Sequence, residues 1–441
     1  MLSSFSIRNF RSIVDLTIDL TYGEGKAPNG YQDAEIMPFL DSPTGERLVP
    51  CLSFFGANAS GKSNILMALL AFKNIIAQAV PLAARFYPNQ LNRKYTDTTL
   101  AIKFVLEDNT YEYSFSYDGT RILSEILKKD KIILFEIKNL AASFSASLVT
   151  QNYPPEKLTD ILSVECSDGQ GRQIKPFLNI IGNAYQGLSK DIKAVFDYIN
   201  NRMRILGTGL GAMTLPLAVN HLAVACGGDK KAALSEIVSI VRKLDIDILG
   251  AGIDLMPLPP APPAPPGART LELRFPTLSG MIEKDESGKE YMPVAYSEHK
   301  DMSGNTVRFD FQGQESAGTQ RLAGLVGTLL YALKTGGVIF VDELDCSLHS
   351  LLIRELVMLF KKRIHNRNRA QLVFTTHNTD ILDDSILRLS EIALVRKNLD
   401  NGTMMRRLVD LKKDGEDIRN VTNFRKQYLE GFYSSIPHPA I

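Results

Sequence analysis

Apolar and polar residues alternate through FSIRNFRSIVDLTIDL, residues 5–20, and the alternation predicts a strand or a hairpin. Residues 22–47 lose that order and fill with Gly, Pro, Asp and Glu, the composition of a long surface loop. RLVPCLSFFG, 47–56, reads as a short apolar strand running into a glycine turn. Behind the turn, SGKSNILMALLAFKNIIAQA sets apolar residues at Ile65, Leu66, Leu69, Leu70 and Phe72, a helical spacing. TLAIKFVLED, 99–108, and TYEYSFSYDG, 110–119, alternate again and predict a hairpin turning at Asp108-Asn109.

From 120 to 255 the pattern becomes helical. ALSEIVSIVRKLDIDIL carries an apolar stripe at 234, 237, 238, 241, 244 and 248, and DIKAVFDYINNRMRIL, 191–206, reads similarly. No heptad is sustained, so no long coiled-coil arm is expected. MPLPPAPPAPPG, 256–267, predicts an extended polyproline-type spacer, with an SH3-domain ligand as the alternative. RTLELRF and NTVRFDF then predict strands, and ESAGTQRLAGLVGTLLYALKTGG a turn followed by a helix. GGVIFVDELD, 336–345, is an apolar strand ending in acids, and SLHSLLIRELVMLFKKR is a helix. QLVFTTHNTDIL, 371–382, is strand then turn, and EIALVRKN is the last strand expected. Short apolar strands alternating with helices imply an α/β fold with a mostly parallel sheet covered on both faces.

At 441 residues the chain exceeds one core of about 100–200 residues, so two domains or one large insertion are expected. The net charge of +1 gives no general argument for nucleic acid. Cys51, Cys166, Cys226 and Cys346 form no CxxC pair, which argues against a zinc ribbon or a disulfide scaffold. MLSSFSIRNFRSIVDL lacks the apolar core of a signal peptide, and no run is long enough to span a membrane. A cytoplasmic protein without a membrane partner is therefore expected.

Gly56-Ala57-Asn58-Ala59-Ser60-Gly61-Lys62-Ser63 matches G-x-x-x-x-G-K-S/T without deviation, strand before it and helix after. Such a loop wraps a phosphate chain in backbone N–H groups at a helix N-terminus. Lys62 would pair with the β- and γ-phosphates, and the Ser63 hydroxyl would ligate Mg²⁺. In VIFVDELD, Asp342 would hold Mg²⁺, and Glu343 would orient and deprotonate the attacking water. The plain alternative is a pair of strand-end acids capping the next helix. Thr375-Thr376-His377 would place an imidazole beside the terminal phosphate, although a histidine there also suits a turn. His299 and His349 remain open. Glu315-Ser316-Ala317-Gly318-Thr319-Gln320-Arg321 is a small-residue turn in which Ser316 caps a helix, while the N–H groups of Ala317 and Gly318 make a second anion site. Two anion sites on one chain make sense if the second closes on another subunit's nucleotide.

GANASGKS, ESAGTQR, VIFVDELD with Leu348-His349 behind it, and the TTH strand together resemble the ABC-type ATPases of the SMC, Rad50 and OLD group. The match is closest to the standalone branch called AAA15 or AAA21, which includes RloA-like proteins and the ATPase subunit of PARIS-type anti-phage systems. IRNFRSI and QYLEGFYSSIP are similar to that branch as well. The resemblance implies an ABC-type head with an antiparallel β subdomain, in which two heads sandwich ATP. Residues 1–120 and 269–441 would form the head, 121–255 a mostly helical insertion and 256–268 a Pro-rich linker. Ser316 and Gly318 would contact the γ-phosphate in trans, Asp345 would sit in the D-loop, and His377 would be the switch histidine. Asn64, which follows the phosphate loop, and Arg11 would approach the nucleotide, and Gln90 in PNQLN would be the Q-loop glutamine. The signature departs from LSGGQ, with Ala-Gly-Thr in place of its Gly-Gly-Gln portion.

The resulting expectation is an ATPase, using ATP and Mg²⁺, that forms a homo-oligomer from head-to-head dimers and controls a separate effector, a nuclease, in anti-phage defence. A phage trigger protein is a further expected partner, met by the helical insertion. The segment after His377 is short for the nuclease domain of OLD-type proteins, and Asp245-Ile-Asp247 reads as a solvated helix end. The alternatives are a Rad50-like DNA-binding repair head and a transporter motor.

Overall fold

The computed structural model describes residues 1–23, 35–77, 80–91, 94–185, 187–207, 214–244, 247–258, 282–285, 287–398, 402–411 and 424–431. The elements begin with β1 (Leu2–Phe10), β2 (Ile13–Asp19), β3 (Leu40–Asp41), β4 (Arg47–Leu48), β5 (Cys51–Phe55) and α1 (Lys62–Ile76). Five antiparallel strands follow: β6 (Thr98–Leu106), β7 (Asn109–Tyr117), β8 (Ile122–Lys129), β9 (Ile132–Lys138) and β10 (Ala141–Phe144). Then come α2 (Pro155–Val164), α3 (Phe177–Asn183), α4 (Lys190–Asp197), β11 (Met203–Leu206), α5 (Leu215–Ala225) and α6 (Lys230–Lys243). The chain continues through β12 (Gly250–Pro257), β13 (Glu283–Lys284), β14 (Glu290–Lys300), β15 (Thr306–Asp310) and α7 (Ala317–Thr335). Then come β16 (Val338–Val341), α8 (Ser350–Lys361), β17 (Gln371–Thr375), β18 (Ile392–Asn398) and β19 (Gly402–Arg407), followed by the short helices α9 (Leu408–Leu411) and α10 (Phe424–Leu429).

Two compact units are distinguished. The first comprises Met1–Thr208, Ala332–Cys346 and Ile353–Ile441, the second Gly209–Tyr331 and Ser347–Leu352.

The first unit is built on one sheet of thirteen strands, in the order β10-β9-β8-β7-β6-β1-β2-β19-β18-β5-β17-β16-β11. The strands from β18 to β11 run parallel, and those from β10 to β19 antiparallel. The class is α/β as expected, with the antiparallel strands continuous with the parallel ones. The three inner parallel strands are buried along their whole length, because both faces are covered: β5, β16 and β17 have no exposed residue. Helix α1 buries Ile65, Leu66, Leu69 and Phe72 of the expected stripe, while Leu70 is only partly buried and Ile76 extends the buried face. Phe72 sits edge-on to Phe5 of β1 at 5.4 Å and stacks on Phe115 of β7 at 5.6 Å. The helix after the phosphate loop is thereby anchored on the antiparallel side. Truncating a fully buried ring of this kind costs about 3–5 kcal/mol. Gln371 is a polar staple across the same core: it accepts from Leu2 N at 2.6 Å and donates to Leu2 O and Val49 O.

Several sequence expectations move. The helical segment expected from 121 starts later, because β8, β9 and β10 prolong the antiparallel run to Phe144. Register shifts at Ser116/Tyr117 and Leu127/Lys128 break the two-residue period there and hide the strands. MRIL, expected to continue a helix, is β11: it pairs in parallel with β16 as the outermost strand, a length too short to show a period. The hairpin between β6 and β7 turns at Glu107-Asp108, where Leu106 pairs with Asn109 and Glu107 takes φ 52°. EIALVRKN is followed by one more strand, β19, antiparallel to β18. RTLELRF and nearly all of the Pro-rich linker lie outside the described residues, as does Asp245.

The second unit contains α5, α6, most of α7 and a small antiparallel sheet in which β12, β13 and β15 pair with β14. Among the described residues no helix is long and apolar enough to cross a membrane.

Candidate functional site

The loop between β5 and α1 owes its shape to two glycines. A Cβ on Gly56 would stand 2.1 Å from Val395 O, and Gly61, at φ 106°, would drive one to within 2.0 Å of Thr403 Oγ1. No L side chain fits either place, so β18 and β19 close on the loop only because glycine stands there. Ala59 is also left-handed, at φ 61°. Lys62 Nζ bonds Gly56 O at 2.7 Å and Ala57 O at 3.1 Å. Burial lowers the Lys62 pKa, while Asp342, Asp345 and Glu343 pull it back up.

Strands β16 and β17 bring the acids to the same end of the parallel sheet. Ser63 Oγ lies 3.4 Å from Asp342 Oδ1, which also accepts from Thr375 Oγ1 at 2.6 Å. The same Thr375 hydroxyl receives Glu343 N at 2.7 Å. Thr375 therefore sets both acids, and Glu343 is held left-handed at φ 49°, a conformation a glutamate adopts only under local constraint. His377 N donates to Asp345 Oδ2 at 3.1 Å, and its ring is exposed.

A cavity of about 540 Å³ is lined by Asn58 to Asn64, Asp342, Glu343, Thr375, His377 and Lys397. A second, of about 560 Å³, is lined by Arg11, Asn64, Phe86, Tyr87, Gln90, Lys397 and neighbours. Asn64 and Lys397 border both. Arg11 lies over the Tyr87 ring at 5.0 Å and bonds Asn64 Oδ1 at 3.4 Å, while Asn64 Nδ2 donates to Ser12 Oγ. Three buried polar atoms here have no hydrogen-bond partner: Ser60 Oγ, Asp345 Oδ1 and Arg11 Nε. Buried polar atoms are normally satisfied, and unmet ones at a cavity fit a polyanion and its cation.

The paired oxygens of Ser63 and Asp342 suit a hard divalent cation. No cluster of three or more His, Cys, Asp or Glu residues forms among the described residues, so such a cation would complete its shell from phosphate and water.

Thus the residues from Asn58 to Asn64, Asp342, Glu343 and His377 border one cavity, with Asp345 bonded at its edge and Gly56 behind the lining, its carbonyl on Lys62 Nζ. Arg11 and Gln90 line its neighbour, so Gln90 stands apart from Ser63 and Asp342. Ser316 and Gly318 belong to the second unit. There Ser316 Oγ accepts from Thr319 N at 3.1 Å, the expected cap, and Gly318 passes close to Ser347 O. His299 bonds Glu315, the residue before Ser316, at 2.6 Å, and His349 accepts from Leu351 N at 3.2 Å. Sequence reading missed Lys397, Thr403 and Tyr87. None belongs to a motif, and each arrives through strand pairing or a loop contact.

Residues 266–383 match the model of the family described as "AAA domain, putative AbiEii toxin, Type IV TA system". That stretch holds Ser316, Gly318, Asp342, Glu343, Asp345 and His377, and leaves the phosphate loop outside. No curated protein matches the chain. Among solved structures, an Smc head bound to the C-winged helix domain of ScpA is 14% identical, with a TM-score of 0.43, over 92% of this chain and 97% of that one. An Smc head with an extended coiled coil, bound to the C-terminal domain of ScpA derived from Pyrococcus furiosus, is 13% identical, with a TM-score of 0.40, over 95% and 99%. The SMC head domain from Thermotoga maritima is 12% identical, with a TM-score of 0.38, over 92% and 98%.

Proposed function

We propose that this chain is an ABC-type ATPase that assembles with further copies of itself through shared nucleotides and so controls a separate effector. The observation that carries the nucleotide reading is one cavity bordered by Lys62, Ser63, Asp342, Glu343 and His377, from three distant stretches of the chain. In this reading the N–H groups of the loop and Lys62 hold the β- and γ-phosphates, and Ser63 with Asp342 holds Mg²⁺. The cation supplies charge neutralisation on the phosphates. Glu343, fixed through Thr375, orients and deprotonates the attacking water, and His377 meets the terminal phosphate from the rim. The neighbouring cavity takes the nucleoside, with Tyr87 as a stacking surface and Asn64 and Lys397 at the junction.

Ser316 and Gly318 serve a second subunit's nucleotide, and Asp345, with one oxygen unmet, belongs to that closure. The matched family's description names a putative toxin of a Type IV TA system; the anti-phage role, with a nuclease as the effector and a phage protein as the trigger, is what the resemblance to standalone defence ATPases implies.

The test is the solution mass of Glu343→Gln with and without ATP and Mg²⁺. A rise with ATP that Lys62→Ala abolishes is the expected result. Nucleotide bound to a chain that stays monomeric overturns the trans closure, and no nucleotide bound overturns the whole reading.

A further inference from the structure

The second unit carries a cavity of about 670 Å³ between one face of α6 and the first residues of β12. Helix α6 has two stripes. Ala233, Ile237 and Val241 are buried, with Gly327 of α7 closed against Ile237 and Ala218. The second stripe, Lys231, Leu234, Val238 and Arg242, recurs at three- and four-residue steps and faces the cavity.

The lining has a consistent chemistry. Three cations, Lys231, Arg242 and Lys243, surround an aliphatic seam of Leu234, Val238 and Leu249, and no carboxylate lines the cavity. Three carboxylates of the surrounding elements are already engaged, and Asp247, exposed before β12, lies outside the lining. Asp229 caps α6 by accepting from Lys231 N and Ala232 N, and Glu298 and Asp254 pair with Arg308. Among the described residues none of the three lining cations has an ion-pair partner. From Lys231 to Lys243 the face is about 18 Å long at 1.5 Å per residue, enough for five or six extended residues. Strand β12 stands at the edge of its sheet, paired with β14 alone among the described residues.

We infer that this groove receives an acidic peptide segment of a partner protein, with its carboxylates on Lys231, Arg242 and Lys243 and its aliphatic side chains on the seam. A nucleic acid would match the charge but leave the aliphatic seam unused, and no aromatic platform for its bases lines the groove. The inference rests on α6 and β12 and stands independently of the nucleotide reading.

The experiment uses the full chain and a fluorescein-labelled dodecapeptide of alternating Glu and Leu. A dodecapeptide of alternating Lys and Leu and a twelve-nucleotide single strand serve as competitors. Saturable anisotropy is expected, weakening at least about tenfold in Arg242→Glu/Lys243→Glu and several-fold in Lys231→Ala. Val238→Arg, which blocks the seam while adding positive charge, should weaken binding as well. Circular dichroism and thermal melting establish that each variant is folded. The inference is overturned by absence of binding, by equal competition from the basic peptide or the DNA strand, or by binding that survives charge reversal.

Discussion

Glu125 and Asp345 are carboxylates of the same unit with opposite surroundings. Glu125, on the antiparallel side, is fully buried and answers four donors: Tyr113 OH, Gln173 Nε2, Phe177 N and Leu178 N, at 2.7–3.0 Å. Burial pushes its pKa up, and the four donors pull it back down. Asp345, beyond the parallel strand β16, answers His377 N with one oxygen and leaves the other buried without a partner. Each oxygen accepts twice in the first case, and one oxygen accepts nothing in the second. A saturated carboxylate holds a fold together, here by fastening the start of α3 to β8. An unsaturated one is poised for something that arrives.

The largest expected effect tests the saturated side. Glu125→Ala strands four buried donors and should destabilise the chain by about 4 kcal/mol, read as a lowered urea midpoint. Asp345→Asn should change the stability by less than about 1 kcal/mol while weakening ATP-dependent assembly. Equal losses of stability would erase the contrast. The middle effect concerns Thr375, whose hydroxyl joins Asp342 to Glu343. Thr375→Val keeps the shape and should lower turnover about 10–100-fold with ATP affinity nearly unchanged. A loss confined to affinity would place the hydroxyl in binding instead.

The smallest effect lies under α1. Lys73 is buried, donates to Met203 O, and has its pKa lowered to about 7, by burial first and Arg204 second. Its unfolded pKa is near 10.5, so between the two values the unfolded chain binds the extra proton and stability rises with pH. Below about pH 7 the folded state carries the full cost of a buried charge. Lys73→Met should therefore raise the melting temperature more at pH 6 than at pH 9.

Most of the candidate site was legible, because its pattern is local. Gly56 to Ser63 states its own turn, and Asp342 to Glu343 follows an unmistakable buried strand. His377 was legible as the end of another. Thr403 and Lys397 were not, since β19 reaches the loop by pairing with β18, and nothing in GTMMRR announces that neighbour. The antiparallel strands past residue 121 were obscured by their bulges. The signature turn was legible as a cap, and its cap is present at Ser316. The trans role proposed for it would depend on a second chain, which no local pattern encodes.

Thr403 occupies the space that the missing side chain of Gly61 leaves free, and its hydroxyl bonds Ser12 Oγ at 2.6 Å. Two positions far apart in the chain thus share one small volume, and neither can change size alone. In inheritance they should behave as a single character: a bulkier residue at 403 is lethal to the loop unless the loop itself has been rebuilt. An alignment of natural relatives would register this as paired restriction at 61 and 403. In the laboratory, Thr403→Val, matched in shape but lacking the hydroxyl that bonds Ser12, should be milder than Thr403→Leu.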